Sequence, residues 1–168
     1  MTDDVAAKAI DDFWHLVRGR ARLSTLGGVL GETPAAAVPP PAWAFGDNPE
    51  LADELLALVL SGTKTATADL VRSYEAAGEP IPQVGDLSIV LDGAGAPRAL
   101  LRTTRVDIVP FTAVTAEHAR LEGEGDRTLA SWRADHERHF RRTAPDGFVF
   151  SDEASVVCER FKVLYPRP

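Results

Sequence analysis

The residues predict an α+β fold: a small mixed β-barrel with flanking helices and one additional helix at the N-terminus. Three observations carry that expectation. Strand-like apolar runs at 87–91, 99–109 and 155–165 are interrupted by helical segments without the regular alternation of a doubly wound parallel sheet. Asp92-Gly93-Ala94-Gly95, between the first two runs, has the turn chemistry of a β-hairpin. With 168 residues, 45% of them apolar, the chain can bury one full core and gives no reason to expect two.

From Asp3 to Leu16, Val5, Ile10, Phe13, Trp14 and the adjoining Val17 fall at mixed spacings of three, four and five, which predicts an amphipathic helix with Thr2 available as its N-cap. Gly27 to Pro41 holds glycines, alanines and Pro39-Pro40-Pro41; it lacks the donors and the bulk for a packed element and reads as a linker. Residues 1–42 are therefore expected as helix plus linker, and 43–168 as the main domain. Asn48-Pro49-Glu50 is a helix start, with a capping side chain, a proline at the first position and an acid at the positive end. Leu51, Leu55, Leu56, Leu58, Val59 and Leu60 supply its apolar face, and Gly62 its stop.

A short helix is expected around Ala68 to Ala77, followed by the hairpin strands Leu87–Leu91 and Ala99–Val109. Thr112 or Thr115 can cap a helix through Glu117, His118 and Leu121, ending at Gly123. Asp126 or Thr128 can cap a longer one carrying Leu129, Trp132, His136 and Phe140. Ser155 to Tyr165 closes the chain as a strand.

The 18 basic and 25 acidic side chains leave a formal charge of −7. This disfavours a protein that coats long nucleic acid, because such affinity comes largely from Lys and Arg displacing counterions from phosphates. A nucleoside, or a short single-stranded RNA met by a local basic patch, is compatible with it. Cys158 is the single cysteine and sits in an apolar stretch, so no internal disulfide is available and a buried, inert thiol is expected. No run approaches the ~20 apolar residues of a membrane span, and no basic leader precedes Asp3 and Asp4; the cytoplasm is the expected location.

Gly62-Thr63-Lys64-Thr65-Ala66-Thr67 places a lysine and three hydroxyls just past a helix end. It lacks the leading glycine and the preceding strand of a phosphate-binding loop, which argues against a nucleotide triphosphatase. A desolvated Lys64 would be a base or an oxyanion donor, with a threonine beside it as nucleophile or ligand donor. The other reading of this segment is a solvated turn. Glu122, Glu124 and Asp126 lie between glycines in an acidic loop, of which Glu122 follows Leu121 and is the one expected to point inward. The pairs His118/Glu122 and His136/His139 have helical spacing but no third partner, so no metal and no cofactor are assigned. Arg133, Arg138, Arg141 and Arg142 make the long helix locally basic, and Trp43, Phe45, Tyr74 and Trp132 are core residues or stacking platforms for a base.

In order along the chain, Gly62-x-Lys64-x-x-Thr67, the Gly85-Asp86 strand entry, His118-Ala119-Arg120-Leu121-Glu122 and Glu159-Arg160-Phe161 resemble the ASCH superfamily over residues 43–167. The resemblance implies a PUA-like β-barrel with a cleft between barrel and helices, and an association with RNA and modified nucleosides. Within the superfamily the chain is similar to a longer relative of the bacterial N4-acetylcytidine amidohydrolases, which implies Lys64, Thr67 and Glu122 as the catalytic trio. Gly62, Thr63, Thr65, Trp43, Phe45, Tyr74 and Arg105 are the expected substrate-binding residues. Asp69 stands where many relatives carry an arginine, which removes a planar clamp for an anion or a base. The activity so implied is metal-independent hydrolysis of an acylated pyrimidine nucleoside. The alternatives are a non-catalytic RNA- or nucleoside-binding module and a metal-assisted ribonuclease.

Overall fold

The computed structural model describes residues 2–20 and 38–166. The linker expected between 27 and 41 falls mostly outside the described residues, as does the Thr2 side chain that was to cap the first helix. The chain divides into two compact units: 1–61 with 87–102 and 163–168, and 62–86 with 103–162.

In the first unit, α1 (Thr2–Arg20) is longer than its apolar spacing predicts. It buries Trp14 and Val17 against Ile89 and Leu100, with Phe13 edge-to-face on Tyr165. Val5, expected on the same face, is exposed, more than two turns before the buried Trp14. β1 (Ala42–Trp43) pairs in parallel with β3 (Leu87–Leu91). α2 (Pro49–Leu60) starts as expected: the Asn48 side chain accepts from the Leu51 amide at 2.9 Å, and Ala52, Leu55, Leu56 and Val59 form the buried stripe. β3 and β4 (Pro97–Pro110) make the expected antiparallel hairpin, whose turn is closed by the Asp92 carboxylate accepting from the Ala94 and Ala96 amides.

The second unit contains β2 (Ala66–Leu70), α3 (Val71–Ala77), α4 (Ala116–Glu122), α5 (Leu129–Thr143) and the larger part of β5 (Ser155–Tyr165). Ala68 to Leu70, expected as helix, is strand: the segment pairs antiparallel with β5 from Ala66↔Arg160 to Leu70↔Val156, and burial of Leu70 in the core outweighs the weak local helical preference. Asp69 then turns the chain into α3, its carboxylate accepting from the Leu70 amide at 2.7 Å and the Ser73 hydroxyl at 3.0 Å. Thr115 caps α4 through the His118 amide. Thr128 caps α5 through the Ser131 amide, and Asp126 in turn holds the Thr128 hydroxyl. Phe111, Trp132, Phe140 and Phe150 fill the core over Leu70, Val156 and Cys158.

The strands are ordered β1-β3-β4-β5-β2 in an open mixed sheet with β1 and β2 at its edges. These pairings do not show the closed barrel expected. Among the described residues, no helix is long and apolar enough to cross a membrane.

Candidate functional site

Lys64 sits in the turn between α2 and β2, in the second unit. The turn is held on both sides: the Thr65 amide donates to the Leu121 carbonyl at 2.8 Å, and the Thr65 carbonyl accepts from the Phe161 amide at 2.9 Å. These bonds tie the turn to the last residues of α4 and to β5. Gly123, with φ +74°, ends α4 so close to this turn that a Cβ on it would lie 2.6 Å from the Thr63 carbonyl oxygen. The helix terminus is thereby seated on the residue preceding Lys64.

That seating brings Lys64 and Glu122 together across 58 residues of sequence, with Nζ to Oε2 at 3.1 Å and each side chain only 1% exposed. Nζ also donates to Glu124 Oε1 at 2.6 Å, from a side chain that is 30% exposed. Glu122 Oε1 accepts from the Trp132 indole at 2.7 Å and lies 3.0 Å from His118 Nε2, one helical turn before it. His136 Nε2 stands 3.5 Å from Glu122 Oε2, and its ring stacks on Trp132 with centroids 4.0 Å apart.

The electrostatics follow from this packing. Burial works against the charge on Lys64, but Glu122 and Glu124 outweigh it and raise the ammonium above its ordinary range. Burial likewise works against the Glu122 carboxylate, yet Lys64 and His136, with the hydrogen bond from His118, hold it well below the usual carboxylate range. For His136, too, burial is outweighed by Glu122, which raises the imidazole. Its Nδ1 lies 3.0 Å from the Trp132 carbonyl, which only accepts, so Nδ1 carries a proton; Nε2, facing a carboxylate, carries the second. Lys64 and His136 thus balance Glu122 and Glu124.

Linkage makes His136 measurable. A raised native pKa stabilises the fold fully below the unfolded value of 6.5, and that stability is lost as pH climbs through the native value. Relative to His136→Asn, wild type is expected to lose part of its advantage in urea unfolding as pH rises from about 6 upward. A gap independent of pH would show that folding leaves the imidazole's proton affinity unchanged, and a gap that widens as pH rises would show a ring neutral in the native state.

Of the expected trio, a hydrogen bond joins two residues. Lys64 and Glu122 meet, but Thr67 lies inside β2 opposite Glu159, and side-chain alternation sets it on the face away from Ala66 and Leu70. Among the described residues, the bonds from Lys64 to Glu122 and Glu124, and from His118 and Trp132 to Glu122, do not include it. On that other face Glu159 accepts from the Thr103 hydroxyl at 2.6 Å, and burial raises its carboxyl. Tyr74 stands near by, its phenol raised first by burial and then by Asp69 and Glu159.

Of the expected substrate-binding residues, Thr65 serves the backbone frame, and Thr63 contributes its carbonyl to the contact with Gly123. Gly62 closes α2 with φ +76°. Arg105 is exposed and paired with Asp107 at 2.6 Å. Trp43 and Phe45 belong to the first unit and pack edge-to-face; Phe45 is buried and offers no free ring face to a base. Residues treated in sequence as an apolar stripe or an acidic loop, namely Trp132, His136 and Glu124, prove to be neighbours of the Lys64–Glu122 pair. The signal for two of them was present, since Trp132 and His136 share a helix face at a spacing of four. Cys158 is buried as expected, its thiol pushed up to about 12 by burial and then by Glu122.

Comparison with known proteins places this chain in a family. The ASCH domain profile matches residues 41–165. A crystal structure from Enterococcus faecalis V583, of family DUF984, is 33% identical, with a TM-score of 0.75 over 93% of this chain and 88% of that one. The crystal structure of an ASCH domain from Lactobacillus crispatus JV V101 is 29% identical, with a TM-score of 0.70 over 88% of this chain and 95% of its own. No curated protein matches. The profile spans well over half of the sequence, so the chain belongs to the ASCH domain family.

Proposed function

We propose that this protein acts on a nucleoside or RNA-type ligand at the Lys64–Glu122 cluster, and that its reaction is metal-independent hydrolysis of an N4-acylated cytidine-type amide. The observation that carries the reading is a lysine buried to 1% exposure against a carboxylate equally buried. Such a pair loses several kcal/mol per ion in desolvation and is a poor device for stability, whereas groups perturbed in this way cluster at functional sites. The family supports the ligand class.

Lys64 is held as a cation, so it is neither nucleophile nor base. Its ammonium is suited to the carbonyl oxygen of an amide, where negative charge grows as a nucleophile adds. Glu122 keeps that ammonium charged and fixed. Thr67, on the other face of β2, takes no covalent step in this reading. The products are a carboxylic acid and a free exocyclic amine.

Release of cytidine from N4-acetylcytidine tests the proposal. Lys64→Met, which keeps the apolar stem, is expected to lower kcat/KM about 10²–10³-fold. No release by the wild type would overturn the hydrolase reading. The enclosure of Lys64 favours a second reading, a module that binds the nucleoside without chemistry; saturable binding with no turnover would establish it.

A further inference from the structure

We infer that Glu124, rather than Glu122, moves the proton in this hydrolysis, an inference that rests on the hydrolase reading above. A carboxylate offers about four lone-pair directions. On Glu122 all four face donors: His118 Nε2 at 3.0 Å and Trp132 Nε1 at 2.7 Å on Oε1, Lys64 Nζ at 3.1 Å and His136 Nε2 at 3.5 Å on Oε2. To take a proton, Glu122 would have to give up one of these contacts and its charge beside two cations.

Glu124 differs in each respect. Its Oε1 is engaged by Lys64 Nζ at 2.6 Å, while among the described residues no donor is placed on Oε2. The side chain is 30% exposed, so it joins the buried ammonium to solvent. The backbone holds it there, since the Glu124 carbonyl accepts from the Arg127 amide at 2.9 Å. A ligand approaching Lys64 by this side meets Glu124 first, and a water between the two lies next to the free carboxylate oxygen.

The reaction then balances with solvent water as the only co-reactant. The water oxygen bonds to the acyl carbon, Glu124 accepts the water proton, and the new oxyanion faces Lys64 Nζ. As the intermediate collapses, the carbon–nitrogen bond breaks and the proton on Glu124 passes to the leaving amine. Glu124 returns to a carboxylate, Lys64 stays charged throughout, and Glu122 acts as a positioning residue for the ammonium.

Steady-state hydrolysis of N4-acetylcytidine by the full chain tests this. Glu124→Gln is expected to lower kcat about 10²–10⁴-fold, the usual contribution of a general base and acid. Added formate should restore part of the activity of Glu124→Ala, a response that a merely misfolded variant would not give. Undiminished or increased activity in Glu124→Gln, or no rescue of Glu124→Ala by formate, would overturn the inference while leaving the hydrolase reading in place. An inactive wild type would overturn both.

Discussion

Glu122→Gln is expected to cost about 3–5 kcal/mol of unfolding free energy in urea at neutral pH, the range for breaking one member of a buried ion pair. The substitution barely changes volume, so the loss comes from electrostatics and from direction of hydrogen bonding. The introduced amide, in either orientation, would turn an NH₂ toward donors: toward Lys64 and His136, or toward His118 and Trp132. Two buried cations would also lose the carboxylate that offsets their burial. Glu124→Gln is the control. Its carboxylate is part-exposed, and its loss should be smaller because water can take its place. Equal losses in the two variants would show that the saturated carboxylate is not the electrostatic anchor of the site.

Gly123→Ala carries the second large effect, and it separates two causes that usually travel together. A non-glycine residue in the left-handed region costs about 1–3 kcal/mol. At Gly123 a Cβ would in addition stand 2.6 Å from the Thr63 carbonyl oxygen, a backbone atom that cannot rotate away. Gly62 provides the comparison: its φ is nearly the same, +76°, with nothing within 4 Å of the added atom. Gly62→Ala is therefore expected to show the conformational cost alone, and Gly123→Ala that cost plus a displacement of the Lys64 turn from α4. Urea unfolding measures the difference, and a crystal structure of Gly123→Ala should show the Lys64–Glu122 distance lengthened beyond 3.1 Å. Indistinguishable variants would mean that the close approach of Gly123 to Thr63 does not seat the site.

These two substitutions bear on the same physical point. The site is expensive to assemble, since it places several ionisable groups where water cannot solvate them, and it persists because each charge has its partners in place. A ligand amide admitted beside Lys64 would enter an environment in which the ammonium needs no reorganisation to meet developing charge. Stability and proposed chemistry therefore depend on the same contacts, although Glu124, at the solvent edge, belongs mainly to the second.

Much of this protein is legible in local pattern. The cap at Asn48, the hairpin turn at Asp92, the stripes of α2 and α5 and the closing strand follow from interactions within a few residues, which spacing and side-chain chemistry report directly, while the caps of α4 and α5 are narrowed to two candidates each, of which the fold uses Thr115 and Thr128. The GxKxxT turn and the HxxxE helix end could be picked out and related to a family on the same terms. Helix periodicity even joins His118 to Glu122.

Sequence spacing does not reveal how distant segments meet. Ala68 to Leu70 is strand because β5 pairs with it, and that pairing sends Thr67 to the face opposite the buried Ala66 and Leu70, so a residue three positions from Lys64 leaves its network. Glu122 gathers donors from a turn, from its own helix and from α5. No local period encodes that convergence, because a buried charge is satisfied by whatever packing brings to it. Whether a carboxylate is saturated or free to move a proton is settled by such contacts. Two glutamates separated by one glycine, alike in the sequence, are thereby given different surroundings: Glu122 enclosed by donors, Glu124 facing water.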